Sequence, residues 1–263
     1  TGHEATVIED LQIDRPIVIP EERDVCVQLV EDSDLAKVTL TSSERGRPGS
    51  SRQHATARIG RGRFLPPPSR ECEADECLDD LPLDIKEMYD ALAAVGLEYR
   101  GEFQAVTRIR HAHDRVEVDL NASGAVLEGY AGYPPVLDAG LHGALAAFAL
   151  VDRNLYLPVW IHRTIFHAPL TPRCMARAVL IEQDGDQLVA DCSFWNEDGQ
   201  CLVELNGIQL TRVARRSSDE AWLDTCSYET RWFPEVKEKD MTVGSGEFVR
   251  RLVLLNPSPE LRT

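Results

Sequence analysis

Residues 134–151 read PPVLDAGLHGALAAFALV, the most apolar run of the chain. Proline is accommodated in the first turn of a helix, because the N–H that it lacks has no intrahelical acceptor there. Apolar residues then lie on every side of the predicted helix, which is typical of a helix enclosed by other structure. We therefore predict a largely buried helix that follows Pro135.

Strand candidates follow this run in close succession, and Asp-Gly and Glu-Asp-Gly turn sequences separate some of them. They lie at residues 159–166, 174–182, 187–196 and 201–213. A long apolar helix followed by an antiparallel meander that wraps it is the hot-dog arrangement. This order of elements predicts one hot-dog unit around the apolar helix.

A shorter helix and two strands precede the apolar run. Asp84 can cap a helix in which Ile85, Met88, Leu92 and Val95 recur at helical spacing, and Gly96 favours its end. Strands are predicted after it at residues 103–110 and 115–120.

The first part of the chain has the composition of a sheet. Short β-branched runs alternate with prolines and charges over residues 5–40, a further strand is predicted at 54–59, and a proline-rich, acidic connector follows. The prediction is an α+β double hot-dog fold, in which two antiparallel sheets each wrap a central helix and the N-terminal hot-dog is incomplete. Its parts are an N-terminal half (1–64), a linker (65–83), a C-terminal half (84–214) and a segment of different composition (215–263).

Charge and cysteine content exclude several classes of function. The 28 basic and 44 acidic residues give 28 − 44 = −16, a charge that repels nucleic acid and anionic membrane surfaces. Seven cysteines without a C-x-x-C pair indicate neither a disulfide framework nor a zinc site, so we expect no metal and a cytoplasmic location. Because the chain begins with Thr1, we expect it to be a piece of a longer polypeptide.

Two polar residues interrupt the apolar helix. Asp138 and His142 are four residues apart, so they share one face of the helix. A carboxyl group among apolar side chains tends to keep its proton and can act as a general acid, whereas a helix N-terminus favours the anion. The sequence leaves both outcomes open, and a capping aspartate beside a structural histidine is the alternative.

Residues 129–145, GYAGYPPVLDAGLHGAL, resemble the signature of polyketide synthase dehydratase domains, Pro-x-x-x-Asp-x-x-x-Gln/His. Pro134, Asp138 and His142 occupy its positions. Upstream, LEYRGEFQAV resembles the family's Tyr-Gly-Pro-x-Phe-Gln element through Tyr99, Phe103 and Gln104. It departs from the pattern at Arg100 and Gly101, where the family usually has glycine and proline.

Three other regions support the resemblance. LYLPVWIHRTIF resembles the family's Leu-Pro strand through Leu157 and Pro158, and NEDGQCLVELNGIQLTRV resembles its closing hairpin and strand. Near the start, ATVIEDLQIDRPIVIPEE and RQHATARI resemble strands of the first hot-dog, which makes His54 a structural residue rather than a base. In the tail, SYETRWFPEV resembles the start of a ketoreductase structural region.

The resemblance implies a reaction and a site. Dehydratases of this family remove water from a 3-hydroxyacyl thioester on the phosphopantetheine of acyl carrier protein, and they bind no cofactor directly. A histidine takes the α-proton and an aspartic acid protonates the departing hydroxyl. The resemblance assigns the proton donor to Asp138 and an orienting, hydrogen-bonding role to His142. The matching motifs give Tyr99, Phe103, Pro134, Leu157 and Pro158 as expected substrate contacts. Tyr130 and Tyr133, which precede the aspartate, are expected either to line a substrate tunnel or to pack at a sheet edge. The implied partners are acyl carrier protein, neighbouring synthase domains and a second copy of the parent chain.

The family's catalytic histidine belongs to His-x-x-x-Gly-x-x-x-x-Pro, and none of the seven histidines here has that spacing. We therefore expect the parent protein to be a lyase and this chain alone to be inactive or nearly so. A non-catalytic double hot-dog domain that shapes or gates the growing polyketide is the alternative from another class. A domain that cyclises the polyketide and a hot-dog thioesterase also remain open.

Overall fold

The protein is described by a computed structural model. It describes residues 3–17, 25–32, 36–44, 51–64, 79–80, 84–94, 96–111, 115–122, 132–152, 155–213 and 251–253. The helices are α1 (Ile85–Ala94) and α2 (Pro134–Asp152), with a short 3-10 helix at Gly101–Phe103. The strands are β1 (His3–Ile13), β2 (Val25–Asp32), β3 (Lys37–Glu44), β4 (Arg52–Phe64), β5 (Asp79–Asp80), β6 (Val106–His111), β7 (Arg115–Asn121), β8 (Leu155–Phe166), β9 (Arg173–Asp184), β10 (Gln187–Trp195), β11 (Cys201–Val213) and β12 (Arg251–Val253).

The described strands form one sheet, in the order β12-β2-β3-β4-β1-β8-β11-β10-β9-β7-β6-β5. All the recorded strand pairs are antiparallel. The pairing of β1 with β8 joins the N-terminal strands to the C-terminal ones, with Val7 opposite Ile165 and Leu11 opposite Ile161. The two predicted groups of strands are therefore parts of one continuous sheet.

Helix α2 packs against the C-terminal strands, and the main core lies between them. Val136 and Ala139 of the helix and Val118 and Phe194 of the sheet are fully enclosed. Gly140 is essential to this approach, because a Cβ at this position would lie 2.5 Å from the Phe194 ring. The prediction of a long buried helix wrapped by a meander is confirmed for this half of the chain.

Helix α1 begins and ends as the sequence indicates. The Asp84 carboxylate accepts hydrogen bonds from the backbone N–H groups of Lys86, at 2.7 Å, and Glu87, at 3.4 Å. Gly96 has a φ of 89°, a left-handed conformation that glycine adopts without strain. Val95 lies outside the described residues.

The N-terminal strands enclose far less apolar surface. Their buried cluster consists of Ala5, Val7 and Ile165, with Phe64 packed against it. Among the described residues, both α-helices come after residue 84, so no described helix covers strands β1 to β4. Within the β-branched runs of residues 5–40, Ile17 lies outside the strands, and Val18 and Ile19 lie outside the described residues.

Three details differ from the predicted elements. The strand expected from residue 103 begins only at Val106, because Gly101–Phe103 forms a 3-10 helix first. The predicted linker contains strand β5, which pairs with β6. Strand β12, within the segment of different composition (215–263), pairs with β2 and so belongs to the same sheet. None of the helices in the described ranges has the length and apolar character that crossing a bilayer requires.

Candidate functional site

Asp138 and His142 lie one turn apart on α2, as the spacing predicts. Nδ1 of His142 is 3.5 Å from Oδ2 of Asp138. The histidine side chain is only 5% exposed, whereas the aspartate side chain is 44% exposed. Nδ1 is buried and makes no hydrogen bond within the described residues. The pair thus joins an enclosed imidazole to a carboxyl group that solvent or a substrate can reach.

Two tyrosines enclose the imidazole of His142. The Tyr99 ring lies 4.0 Å from it, centroid to centroid, at a tilt of 32°. The Tyr89 ring stands edge-on at 5.6 Å, and its hydroxyl oxygen is 3.3 Å from Nε2 of His142. Tyr89 belongs to α1 and Tyr99 to the segment after it, so packing of α1 against the sheet fixes the imidazole from the side opposite Asp138.

The Tyr89 hydroxyl is itself held by the backbone. It accepts a hydrogen bond from the N–H of Val106 at 3.3 Å and donates one to the carbonyl of Phe103 at 3.5 Å. Burial raises the pKa of Tyr89 to about 12; the Val106 bond opposes this rise and the Asp138 charge adds to it. The phenol therefore stays neutral across the physiological range.

A mainly apolar cavity of about 110 Å³ adjoins this group. Asp138, His142 and Tyr99 line it, and Leu157 and Pro158 of β8 line it as well. The other lining residues come from α1, the segment after it, α2 and the C-terminal strands: Leu92, Leu97, Leu141, Ala144, Leu145, Ala146, Tyr156, Ala178, Ala190, Cys192, Ile208 and Leu210. The cavity is smaller than the roughly 300–1,000 Å³ of typical ligand sites.

The other predicted substrate contacts are placed differently. Phe103, Tyr133 and Pro134 are absent from the lining of this cavity. Tyr133 is buried, and its hydroxyl donates a short hydrogen bond to the carboxylate of Glu102. This bond ties the start of α2 to the 3-10 helix rather than presenting the phenol to the cavity. Tyr130 lies outside the described residues.

The structure explains one departure from the family pattern. Gly101 has a φ of +58°, whereas a proline ring fixes φ near −65°. The backbone therefore takes a path here that the family's usual proline cannot follow. The 3-10 helix that results carries Glu102, the partner of Tyr133.

Other polar groups are engaged elsewhere. Ser42 and Nε2 of His54 are 2.6 Å apart, and Nδ1 of His54 lies 3.3 Å from the carbonyl of Arg15, contacts that fit the structural role predicted for His54. A larger groove of about 390 Å³ shares no lining residue with the cavity at Asp138. Among the described residues, no group of three or more His, Cys, Asp or Glu side chains could hold a metal ion.

Sequence reasoning did not single out Tyr89. Its position in α1, beside the buried Met88, carries the helical periodicity of a core residue and nothing more. The contact with His142 spans 53 positions along the chain, and only the packing of α1 creates it.

A family model described as "Polyketide synthase dehydratase N-terminal domain" matches residues 66–220, more than half of the chain. The chain belongs to the polyketide synthase dehydratase family. The match includes Asp138, His142 and the cavity. Its description names an N-terminal domain, whereas the order of elements predicts that 84–214 is the second half of the fold, and that division stays a prediction.

Curated relatives are also polyketide synthases. The chain is 26% identical over 160 residues to "Reducing polyketide synthase 8" of Fusarium mangiferae, covering 54% of this chain and 6% of the relative. It is 31% identical over 150 residues to "Erythronolide synthase EryA2" of Saccharopolyspora erythraea, covering 51% of this chain and 4% of the relative. The chain thus spans a small part of these proteins.

Solved dehydratase domains share the fold. The dehydratase domain of RzxB from Pseudomonas fluorescens superimposes with a TM-score of 0.65 at 17% identity, covering 79% of this chain and 76% of that one. The dehydratase domain from the CurK module of the curacin polyketide synthase gives 0.66 at 22% identity, covering 82% and 78%. The α+β hot-dog fold predicted from the sequence is confirmed.

Proposed function

We propose that this chain supplies the acid half of a dehydratase site in a polyketide synthase, with Asp138 as the proton donor. The substrate is a 3-hydroxyacyl thioester on the phosphopantetheine of acyl carrier protein. Asp138 protonates the departing β-hydroxyl, and loss of water gives the enoyl thioester. The observation that carries this proposal is the half-exposed Asp138 carboxyl beside the enclosed His142, at the wall of an apolar cavity.

The surroundings of Asp138 suit a general acid. Apolar side chains of α1, α2 and the sheet form most of the cavity wall, so an acyl chain can pack there beside the proton donor. Tyr99, Leu157 and Pro158 would contact the acyl chain next to its reacting carbons. His142 is too enclosed to reach a substrate freely, which fits an orienting role.

The family's catalytic base has no matching histidine motif in this chain. None of its seven histidines stands in the family's His-x-x-x-Gly-x-x-x-x-Pro arrangement. Among the described histidines, His142 is the one that lines the cavity. A positioned base contributes about a hundredfold to ten-thousandfold in rate, so we propose that the isolated chain is inactive or nearly so.

Partners and location follow from the family. Acyl carrier protein, neighbouring synthase domains and a second copy of the parent chain are the proposed partners, and the cytoplasm is the proposed location. The parts 1–64, 65–83, 84–214 and 215–263 are the proposed division of the chain. The proposed substrate contacts still include Phe103, Tyr130, Tyr133 and Pro134. Of these, Phe103, Tyr133 and Pro134 do not line the cavity described above.

The test uses the full-length parent protein and a 3-hydroxyacyl group loaded on its carrier, with the enoyl product followed by mass spectrometry. We expect Asp138→Asn to lower the dehydration rate by about a hundredfold or more. Asp90→Asn is the matched control, since Asp90 is exposed on α1 and pairs with Lys86, and it should leave the rate unchanged. Equal rates for Asp138→Asn and the parent protein would refute the proposal. Dehydration by the isolated chain would refute the proposal that this chain alone is inactive or nearly so.

A second candidate function rests on Gly101. Its left-handed backbone departs from the family's proline, and this departure favours a domain that binds and shapes the growing chain without dehydrating it. In that case the full-length protein would bind a 3-hydroxyacyl pantetheine thioester, and neither it nor Asp138→Asn would form any enoyl product.

A further inference from the structure

The imidazole of His142 lies between two polar groups, the Asp138 carboxyl and the Tyr89 hydroxyl. This ring has two nitrogens, and a neutral imidazole carries a hydrogen on one of them only. Nδ1 faces Asp138 at 3.5 Å and Nε2 faces the Tyr89 hydroxyl at 3.3 Å. A group that fixes the hydrogen on Nε2 therefore leaves Nδ1, the nitrogen nearest Asp138, without a hydrogen.

Three groups meet at the Tyr89 hydroxyl oxygen, and two of them have roles set by their chemistry. The N–H of Val106 can only donate and the carbonyl of Phe103 can only accept. The single hydrogen of the phenol satisfies the carbonyl, and one lone pair takes the Val106 N–H. His142 is the one neighbour that can adapt, and it completes the arrangement by donating Nε2–H to the remaining lone pair.

We propose that Tyr89 is a positioning residue that holds the hydrogen of His142 on Nε2, which leaves Nδ1, the nitrogen that faces Asp138, without a hydrogen. The inference rests on the proposed function, because a general acid needs its proton kept on the carboxyl group. With its hydrogen on Nε2, the ring offers the Asp138 carboxyl group a hydrogen-bond acceptor at Nδ1, whereas an Nδ1–H would donate to the carboxylate.

Both partners of the hydrogen bond between Tyr89 and His142 are buried. The His142 side chain is 5% exposed and Tyr89 is 9% exposed, so water cannot readily replace either partner. Tyr99 covers the ring face at 4.0 Å, which leaves little freedom for the imidazole to flip. Loss of the hydrogen bond between Tyr89 and His142 therefore shifts the tautomer of the ring, because solvent does not replace the bond.

The test is ¹⁵N NMR of histidine side chains in the full 263-residue chain, at a pH where His142 is neutral. His142→Gln identifies the His142 signals by their loss. In the unmodified chain we expect a protonated, pyrrole-type nitrogen at Nε2 and a pyridine-type nitrogen at Nδ1. The reverse assignment in that chain overturns the proposal, even if every Tyr89 variant fails to fold.

Tyr89→Phe removes the hydroxyl and keeps the ring. We expect the ratio of the Nδ1–H to the Nε2–H form of His142 to rise by about fivefold or more, the factor that one net hydrogen bond gives. Tyr156→Phe is the matched control, since Tyr156 is buried and lines the same cavity, and it should leave the ratio unchanged. An unchanged ratio in Tyr89→Phe, or an equal change in both variants, overturns the proposal.

Kinetics separate this inference from the proposed function. In the full-length protein we expect Tyr89→Phe to lower kcat with little change in KM, because the substrate still binds but an Nδ1–H would then face the carboxyl group that donates the proton. If Asp138→Asn leaves dehydration intact while Tyr89→Phe still switches the tautomer, the function fails and the positioning role stands. If Asp138→Asn abolishes dehydration and the tautomer does not change, the positioning role alone fails.

Discussion

The C-terminal strands and the N-terminal strands belong to one sheet, but they differ in what covers them. Strands β6 to β11 surround α2 and enclose a large apolar cluster that extends from Met88 to Leu210. Strands β1 to β4 enclose a small cluster of Ala5 and Val7 with Ile165 from β8. Hydrogen-bonded strands alone bury little apolar surface, since a sheet gains a core only where another element covers its face.

The largest expected effect comes from truncating one phenylalanine in each part. Phe194 is fully buried against α2, whereas Phe64 is partly buried beside the small cluster. We expect Phe194→Ala to lower the free energy of unfolding by about 4 kcal/mol, through lost burial and a cavity. Phe64→Ala should cost about 1–2 kcal/mol. Denaturant unfolding measures both, and equal losses would remove the proposed difference between the two parts.

A smaller effect is expected from adding one methyl group to a glycine in each part. At Gly140 a Cβ would lie 2.5 Å from the Phe194 ring, whereas at Gly60 the nearest atom, from Val7, is 3.8 Å away. We expect Gly140→Ala to cost about 2 kcal/mol, because α2 must move off the sheet. Gly60→Ala should change the free energy of unfolding by less than about 0.5 kcal/mol. A neutral Gly140→Ala would show that the helix approaches the sheet less closely.

The smallest of these effects is the tyrosine share of a response to alkali. Burial raises the pKa of Tyr89 from 10.0 to about 12, and it raises those of Cys174 and Cys201 from 9.0 to about 12. Tyr89 and Cys174 belong to the cluster beneath α2, whereas Cys201 packs with Met175 and Trp195 in a separate cluster. Since the unfolded chain releases these protons at lower pH than the folded protein, the free energy of unfolding falls as pH rises from about 9 to about 12.

Tyr89→Phe isolates the tyrosine share of that fall. Its contribution develops between pH 10 and 12 and amounts to about 1 kcal/mol at pH 11. We therefore expect the decrease in unfolding free energy from pH 9 to pH 11 to be smaller by about 1 kcal/mol in Tyr89→Phe than in the unmodified chain. Identical decreases in the two proteins would mean that Tyr89 is not buried as described.

Local chemistry made several elements predictable. The cap at Asp84, the left-handed Gly96 and the apolar run of α2 depend on neighbours a few residues away, and the structure has each of them where it was expected. The strand predicted from residue 103 was wrong at its start, because the conformation of Gly101 imposes a 3-10 helix that apolar alternation cannot reveal.

The candidate site was predictable only on one helix face. The four-residue spacing of Asp138 and His142 placed their side chains together, since helix geometry needs no tertiary information. Tyr133 was expected at the substrate, but its hydroxyl bonds to Glu102. That partner lies 31 positions away, and no local rule connects the two.

By itself, the sequence determined the apolar helix, the order of the C-terminal strands, the Asp138–His142 pair and the family resemblance, because each depends on periodicity or on short motifs. Only the tertiary structure decided that β1 joins β8 in one continuous sheet, that Gly140 admits the Phe194 ring, and that Tyr89 reaches His142. The reason is that these contacts join residues far apart in the chain, and packing rather than local preference brings them together.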